Sequence, residues 1–302
     1  MKVLLTGASG QLGQELAPCL QALGEIVRVD RAVGGDDGRT LQQDLGDLNR
    51  VEILLNRTRP DLVVNAAAYT AVDRAEEDSA AAFRINAELP GCLARWSQRN
   101  GCMLVHYSTD YVFSGESERP YRETDPTGPL NVYGESKLAG EWAIADSGCR
   151  HLVLRTSWVY SGRGNNFLLT MLRLARERPS LSIVADQVGC PTWARNLAQV
   201  TGRLIAALGR DGDRAGTWHY CDSGIVSWYD FARAIFTEAQ AAGLLERLPE
   251  TTAVPSSGFP QAARRPLYSV LDTSAIRRDF LIEPATLEAS LRSCIEGMKK
   301  HD

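Results

Sequence analysis

The sequence is short of lysine. It holds four in 302 residues, and three of them, Lys2, Lys299 and Lys300, stand beside a terminus. Arginine fills nearly every other basic position, which leaves Lys137 as the one internal lysine. Histidine is equally sparse, with four scattered residues at 106, 151, 219 and 301. The seven cysteines are odd in number, and no two of them form a CxxC pair. This pattern argues against a zinc site or a disulfide framework and fits reduced thiols in a cytoplasm. No apolar run approaches the ~18 residues of a membrane span. The opening MKVLLTGASG breaks its apolar run at Thr6–Gly7, too early for a signal peptide. A net charge of −4 gives no basic surface for nucleic acid. The expectation is therefore a cytoplasmic protein with no membrane, nucleic-acid or metal partner.

What is present is ordinary globular material, 44% hydrophobic and 23% charged. Short apolar runs alternate with amphipathic stretches through the first half. KVLLT (2–6), EIVRVD (25–30), DLVVNAA (61–67), CMLVHYST (102–109) and HLVLRTSWVY (151–160) read as strands. Residues 11–24, 51–60, 80–101 and 132–146 read as helices, with a kink expected at Pro90 and a stop at Pro60. Strand–helix alternation of this kind predicts an α/β fold, a Rossmann-like doubly wound parallel sheet. After residue 157 the rhythm loosens, with helices predicted over 167–179 and 228–243. The expected division is a dinucleotide-binding domain over 1–157 and a smaller α/β substrate domain over 158–302, the two interleaved.

TGASGQLGQ (6–14) follows the first strand and opens the first helix. Gly7 suits the tight turn, Gly10 the approach of a pyrophosphate, and Gly13 the packing of helix on strand. The phosphates would then rest on helix N–H groups at Gln11 and Leu12. Asp30 ends the second strand, where a carboxylate can hold the ribose hydroxyls of NAD. Arg31 follows at once and could instead hold the 2′-phosphate of NADP. Asp44 and Leu45 would lie beside the adenine, and Ala68, Tyr69 and Thr70 at a strand tip under the cofactor. Each of these also reads as packing or surface charge. Thr109 ends the fourth predicted strand, at the edge where open α/β sheets bind ligands. YGESKLAGE (133–141) places Tyr133 and Lys137 four apart, one helical turn from each other.

Taken in this order, the glycine loop, Asp30, NAAA, STDYVF and YGESK resemble the extended short-chain dehydrogenase/reductases. TSWVYSGRGNNF (156–167), DQVGCPT (186–192), WHYCDSGIVSWYDFA (218–232) and ARRPLYSVLD (263–272) resemble the branch of that family that reduces the C4 ketone of a dTDP-linked 4-keto-6-deoxy sugar. The resemblance implies NADPH as hydride donor, with NADH also plausible, and a dTDP-sugar as substrate. It implies Tyr133 as the acid, Lys137 as the group that holds the cofactor ribose and tunes the tyrosine, and Thr109 as the hydroxyl on the substrate oxygen. Tyr107 falls among the cofactor contacts, and Asp110 and Trp158 beside the sugar. Arg264 and Arg265 are candidates for the diphosphate. Tuning a phenol from ~10 to about 7 needs roughly 4 kcal/mol, which one ammonium ~4 Å away can supply at an effective dielectric of ~20. A homodimer is possible on the same grounds. Some relatives are associated with Mg2+ held by glutamates at a dimer contact; Glu15 is present, but Arg195 stands where an acid would be wanted. Another sugar-nucleotide epimerase or reductase, and a non-catalytic dinucleotide-binding regulatory subunit, remain as alternatives. A dehydratase would carry Glu at position 111, where this chain has Tyr111. A built-in epimerase would carry a cysteine within 108–110, and none is there.

Overall fold

Val3, Leu4 and Leu5 are all buried, which adjacent strand residues achieve only when both faces of a sheet are covered. The computed structural model, which describes residues 1–31, 40–210, 215–259 and 261–299, shows how. β1 (Lys2–Thr6) lies in a seven-stranded sheet with β2 (Glu25–Asp30), β3 (Thr40–Gln42), β4 (Leu62–Asn65), β5 (Met103–Thr109), β6 (His151–Thr156) and the edge strand Gly216–His219. The spatial order is Gly216–His219, β6, β5, β4, β1, β2, β3, and every pairing is parallel. Chain direction across the sheet reverses between β1 and β4, so a crevice opens there at the carboxyl ends of the strands.

Alternation along each strand builds the two layers. Val3, Leu5, Val64, Val105 and Leu154 face the helices Gln11–Leu20 and Ala194–Arg210. Leu4, Val63, Leu104 and Val153 face Leu48–Thr58, Leu89–Asn100 and Val132–Asp146. A separate core holds the second lobe together. There Leu168, Leu172, Phe231, Ile235, Leu291 and Ile295 meet from the helices Phe167–Glu177, Trp228–Ala241 and Leu287–Met298. A short parallel pair, Ser180–Val184 with Glu250–Val254, flanks them.

The structure corrects several expected elements. The run 151–160 is not one strand: β6 ends at Thr156, and Trp158 turns into the left-handed region with φ 46°. The helix expected over 51–60 runs Leu48–Thr58, begins on the Asp47 side chain, and ends at Arg59 with φ 44° rather than at Pro60. The distortion expected at Pro90 lies one turn earlier, as a π-helical segment over Arg84–Glu88. Pro90 has no N–H, so the carbonyl of Asn86 loses its usual helical donor and the ladder shifts ahead of it. The main sheet also draws its edge strand and the Ala194–Arg210 helix from beyond residue 157. Lys300 and His301 lie outside the described residues.

Candidate active site

The Val132–Asp146 helix carries the chemistry, and its seat is specific. Asn131 caps it, Oδ1 accepting from the Gly134 amide at 2.8 Å. The Asn131 Nδ2 donates to the Arg264 carbonyl at 2.7 Å, tying the helix start to the second lobe. One turn beyond Lys137, a Cβ on Gly140 would stand 2.1 Å from the Asn86 carbonyl oxygen. Only glycine lets the helix approach the π segment that closely. Asn86 completes the seat, donating to Ser136 Oγ at 3.0 Å and pairing with the backbone of Tyr69.

This seat brings Tyr133 to Thr109 at the end of β5. The Thr109 side chain is near enough to act on the Tyr133 phenol. Thr109 Oγ1 also accepts from the Tyr111 amide at 3.2 Å and donates to Asp110 Oδ1 at 3.0 Å. Its one proton is thus committed to Asp110, and turning it to a substrate oxygen means releasing that bond. Burial pushes the Tyr133 phenol up to about 12; Thr109 draws it down and the Asp110 charge adds to the rise. Burial likewise pushes the Asp110 carboxyl up to about 7, against its hydrogen bonds.

Lys137 is 2% exposed. Its Nζ donates to the Tyr107 carbonyl at 2.5 Å and lies 3.2 Å from His106 Nε2. Desolvation lowers its pKa to about 8, and Glu141, one turn along, pulls the other way. Lys137 is not among the groups that shift the Tyr133 phenol in this structure, which are burial, Thr109 and Asp110. Desolvation favours the protonated phenol at Tyr133, and the Lys137 amino group rests on β5. A protonated phenol is the form that gives a proton when a ketone is reduced.

Two cavities concern the expected ligands, and Thr109, Tyr133 and Lys137 are not among the lining residues of either. One, of about 710 Å3, runs over the strand tips and is lined by Gly7, Gly10, Asp30, Arg31, Asp44, Leu45 and the 66–71 segment. The other, of about 450 Å3, lies between Ser114–Glu116, Phe259 and the 261–265 stretch with Arg264 and Arg265.

The family model described as RmlD substrate binding domain matches residues 1–300. A dTDP-4-dehydrorhamnose reductase of Burkholderia thailandensis is 45% identical over 307 residues, covering 99% of each chain. That of Escherichia coli K12 is 44% identical over 282 residues, 93% of each. The chain belongs to the dTDP-4-dehydrorhamnose reductase family. Solved structures of the family agree in fold. A Clostridium acetobutylicum member superposes with TM-score 0.89 at 35% identity, over 99% of this chain and 100% of that one. A Bacillus anthracis member, described in complex with NADP, gives 0.85 at 33% over 97% and 98%.

The larger cavity fits a dinucleotide on its own geometry. Gly7 has φ 67°, and a Cβ there would strike the Ala66–Ala67 peptide at 2.6 Å; a Cβ on Gly13 would lie 2.1 Å from the Gly7 carbonyl. The loop is drawn tight against β4 and the helix, as a phosphate cradle requires. Gly10 gives the first helix no side-chain cap, so the amides of its first turn are not spent on one. Asp30 steadies the loop as well as lining the cavity, accepting from the Ser9 amide at 2.8 Å and the Arg31 amide at 2.6 Å.

Other family positions fall differently from expectation. Tyr107 presents no side chain to the cofactor cavity. Alternation along β5 turns it to the opposite face, where its hydroxyl bonds Thr201 Oγ1 at 2.8 Å, and only its carbonyl reaches Lys137. Leu12 packs its side chain into the core, and Gln11 bonds the Val159 carbonyl at 3.2 Å. Trp158 stacks on Trp228, ring centroids 3.4 Å apart and 3° from parallel, so one indole face is already covered. Arg265 is held bidentately by Asp73 at 2.6 and 3.0 Å. Arg264 is exposed, and among the described residues its guanidinium has no ion-pair partner. Glu15 receives the Arg195 Nε at 3.0 Å, a donor where a cation would need an acceptor, so these residues do not fit Mg2+. Sequence reasoning missed Arg74 and Arg84, both on the dinucleotide cavity, because neither stands in a motif. No helix among the described residues is long and apolar enough to cross a membrane.

Proposed function

We propose that the protein reduces the C4 ketone of dTDP-4-dehydro-L-rhamnose to dTDP-L-rhamnose, the last step in making that sugar nucleotide, and that it prefers NADPH over NADH. The observation that carries this reading is the Thr109–Tyr133 pair at the carboxyl edge of the sheet, one helical turn from a buried Lys137. When bound, the reduced nicotinamide supplies the hydride. The chain supplies everything else. Tyr133, kept protonated by its surroundings, gives its hydroxyl proton to the C4 oxygen as the hydride reaches carbon. Thr109 stabilises the developing negative charge by turning its hydroxyl from Asp110 to that oxygen. Lys137 donates to the ribose with the proton not engaged on β5. Arg31 meets the 2′-phosphate and Asp30 the neighbouring hydroxyls. Arg264, exposed on the second cavity, binds the diphosphate, while Arg265, already paired with Asp73, shapes the cleft wall. The uncovered face or edge of Trp158 meets the sugar.

Tyr111 in place of a glutamate argues against dehydration, and the absence of cysteine at 108–110 argues against epimerisation. The substrate should therefore arrive already epimerised. The test follows loss of NADPH absorbance with the dTDP-4-keto-6-deoxy sugar, with and without a separate 3,5-epimerase. Turnover only with the epimerase supports the reading. Robust reduction of the unepimerised D-sugar, or no oxidation with either, refutes it.

A further inference from the structure

Three side chains on neighbouring strands lead to Lys137. Thr6, Asn65 and His106 are register partners across β1, β4 and β5, one rung of the sheet. None of the three is more than 1% exposed. Thr6 Oγ1 lies 2.6 Å from Asn65 Oδ1, Asn65 Nδ2 lies 3.0 Å from His106 Nδ1, and His106 Nε2 lies 3.2 Å from Lys137 Nζ. Burial and the neighbouring lysine hold the imidazole neutral, so it carries one N–H only.

That single proton makes the row a two-state device. With Asn65 Nδ2 donating to Nδ1, the imidazole proton sits on Nε2 and points at Lys137. Nε2–H then needs an acceptor, which an amine offers and an ammonium does not. If Lys137 is an ammonium, Nε2 must accept, Nδ1 must carry the proton, and Asn65 must turn its oxygen inward and its nitrogen to Thr6. The oxygen and nitrogen of a carboxamide exchange places without altering its shape. Lys137 charge, His106 tautomer and Asn65 orientation therefore change together.

The other charged and titratable groups around this lysine are few. Glu141 lies on its own helix, paired with Arg155 of β6. Tyr133 lies on that helix too, one turn before Lys137, Asp110 follows the end of β5, and the 84–88 segment presents the uncharged Asn86. His106 is the only one of them hydrogen-bonded to the Lys137 amino group through its side chain.

We propose that His106 is a positioning residue of the ketone reduction: anchored through Asn65 and Thr6, its imidazole holds the Lys137 amino group against β5 and accepts from it in its charged form. The inference rests on the proposed reductase activity for its catalytic meaning, but not for its measurement. The scarcity of lysine makes it directly readable. In full-length protein labelled with 13Cε-lysine, Lys137 is the one internal resonance among four, and its titration is followed by NMR.

His106→Leu removes the acceptor and should lower the Lys137 midpoint by about one to two pH units, the size of one charged hydrogen bond. The alkaline limb of kcat should move down with it, since the ammonium is lost as pH rises through that midpoint. His106→Gln, whose carboxamide oxygen can accept from the lysine, should restore the midpoint to within about half a unit of wild type. Asn65→Asp offers only acceptors, fixes the proton on Nδ1 and should raise the midpoint by about one unit. That rise should shrink in the His106→Leu background, where the carboxylate acts only through distance. If Asn65→Asp fails to fold, His106→Leu decides alone; if His106→Leu fails to fold, His106→Phe, which likewise lacks an acceptor, takes its place. Unchanged midpoints in His106→Leu, or a full Asn65→Asp rise without the imidazole, overturn the proposal. If wild type shows no turnover with the sugar nucleotide, the functional reading fails while the titration still judges His106.

Discussion

Replacing Glu141 by Gln removes one charge from a buried pair. The Glu141 carboxylate takes Arg155 Nε at 3.0 and 3.2 Å and Nη2 at 2.6 Å, and both side chains are 7% exposed. Among the described residues Arg155 has no other ion-pair partner. It lies 5.1 Å over the Phe113 ring and 3.4 Å from His219, whose basicity burial and Arg155 itself suppress. Leaving a buried guanidinium unpaired costs about 3–5 kcal/mol. Glutamine keeps the shape and one acceptor, which argues for the lower end, about 3 kcal/mol. At about 2 cal/mol/K of unfolding entropy per residue, a chain of this length loses roughly 5 °C in Tm. The same change removes the Coulombic support of Lys137, whose titration should move further below about 8. The assay is a thermal melt followed by circular dichroism, with Glu135→Gln on the exposed side of the same helix as reference. A loss no larger than that of the reference would refute the assignment of stability to this pair.

Tyr133→Phe should fold and bind dinucleotide normally while kcat falls by at least about 100-fold, since only the proton donor is lost. Near-normal kcat would remove Tyr133 from the mechanism. Arg31→Ala should raise KM for NADPH about tenfold and leave KM for NADH within about twofold, the difference expected of one charged contact to a 2′-phosphate. Equal effects would show that Arg31 does not meet that group. Trp158→Ala should raise KM for the sugar nucleotide and leave dinucleotide affinity unchanged; a matching loss for both would place Trp158 in the scaffold with Trp228.

The doubly wound sheet was legible because its strands are continuous apolar runs that alternate with amphipathic stretches. The glycine loop was legible because a tight turn and a close helix leave little choice of residue. Tyr133 and Lys137 stood out through their spacing and the scarcity of lysine. What the sequence hid was set by tertiary contact. Nothing local marks the turn at Trp158, which is held by a stack on Trp228, 70 residues further along. The edge strand Gly216–His219 is four residues long, too short for a period to show. Whether Arg264 or Arg265 is available depends on Asp73, 192 residues before the arginine it binds. His106 reads as one more residue of a buried strand until the register sets it beside Asn65 and Lys137. The upward push on the Tyr133 phenol comes from desolvation, which no spacing rule reports.

Hydride is proposed to arrive at C4 of the sugar while Tyr133 protonates the oxygen. This is tested most directly by running the reaction with NADPH deuterated at the transferring position and reading the product by proton NMR. The expected product is dTDP-L-rhamnose whose H4 signal is absent from the wild-type reaction, with no such product formed at a comparable rate by Tyr133→Phe. Deuterium at another carbon, or a full H4 signal in the product, would contradict it.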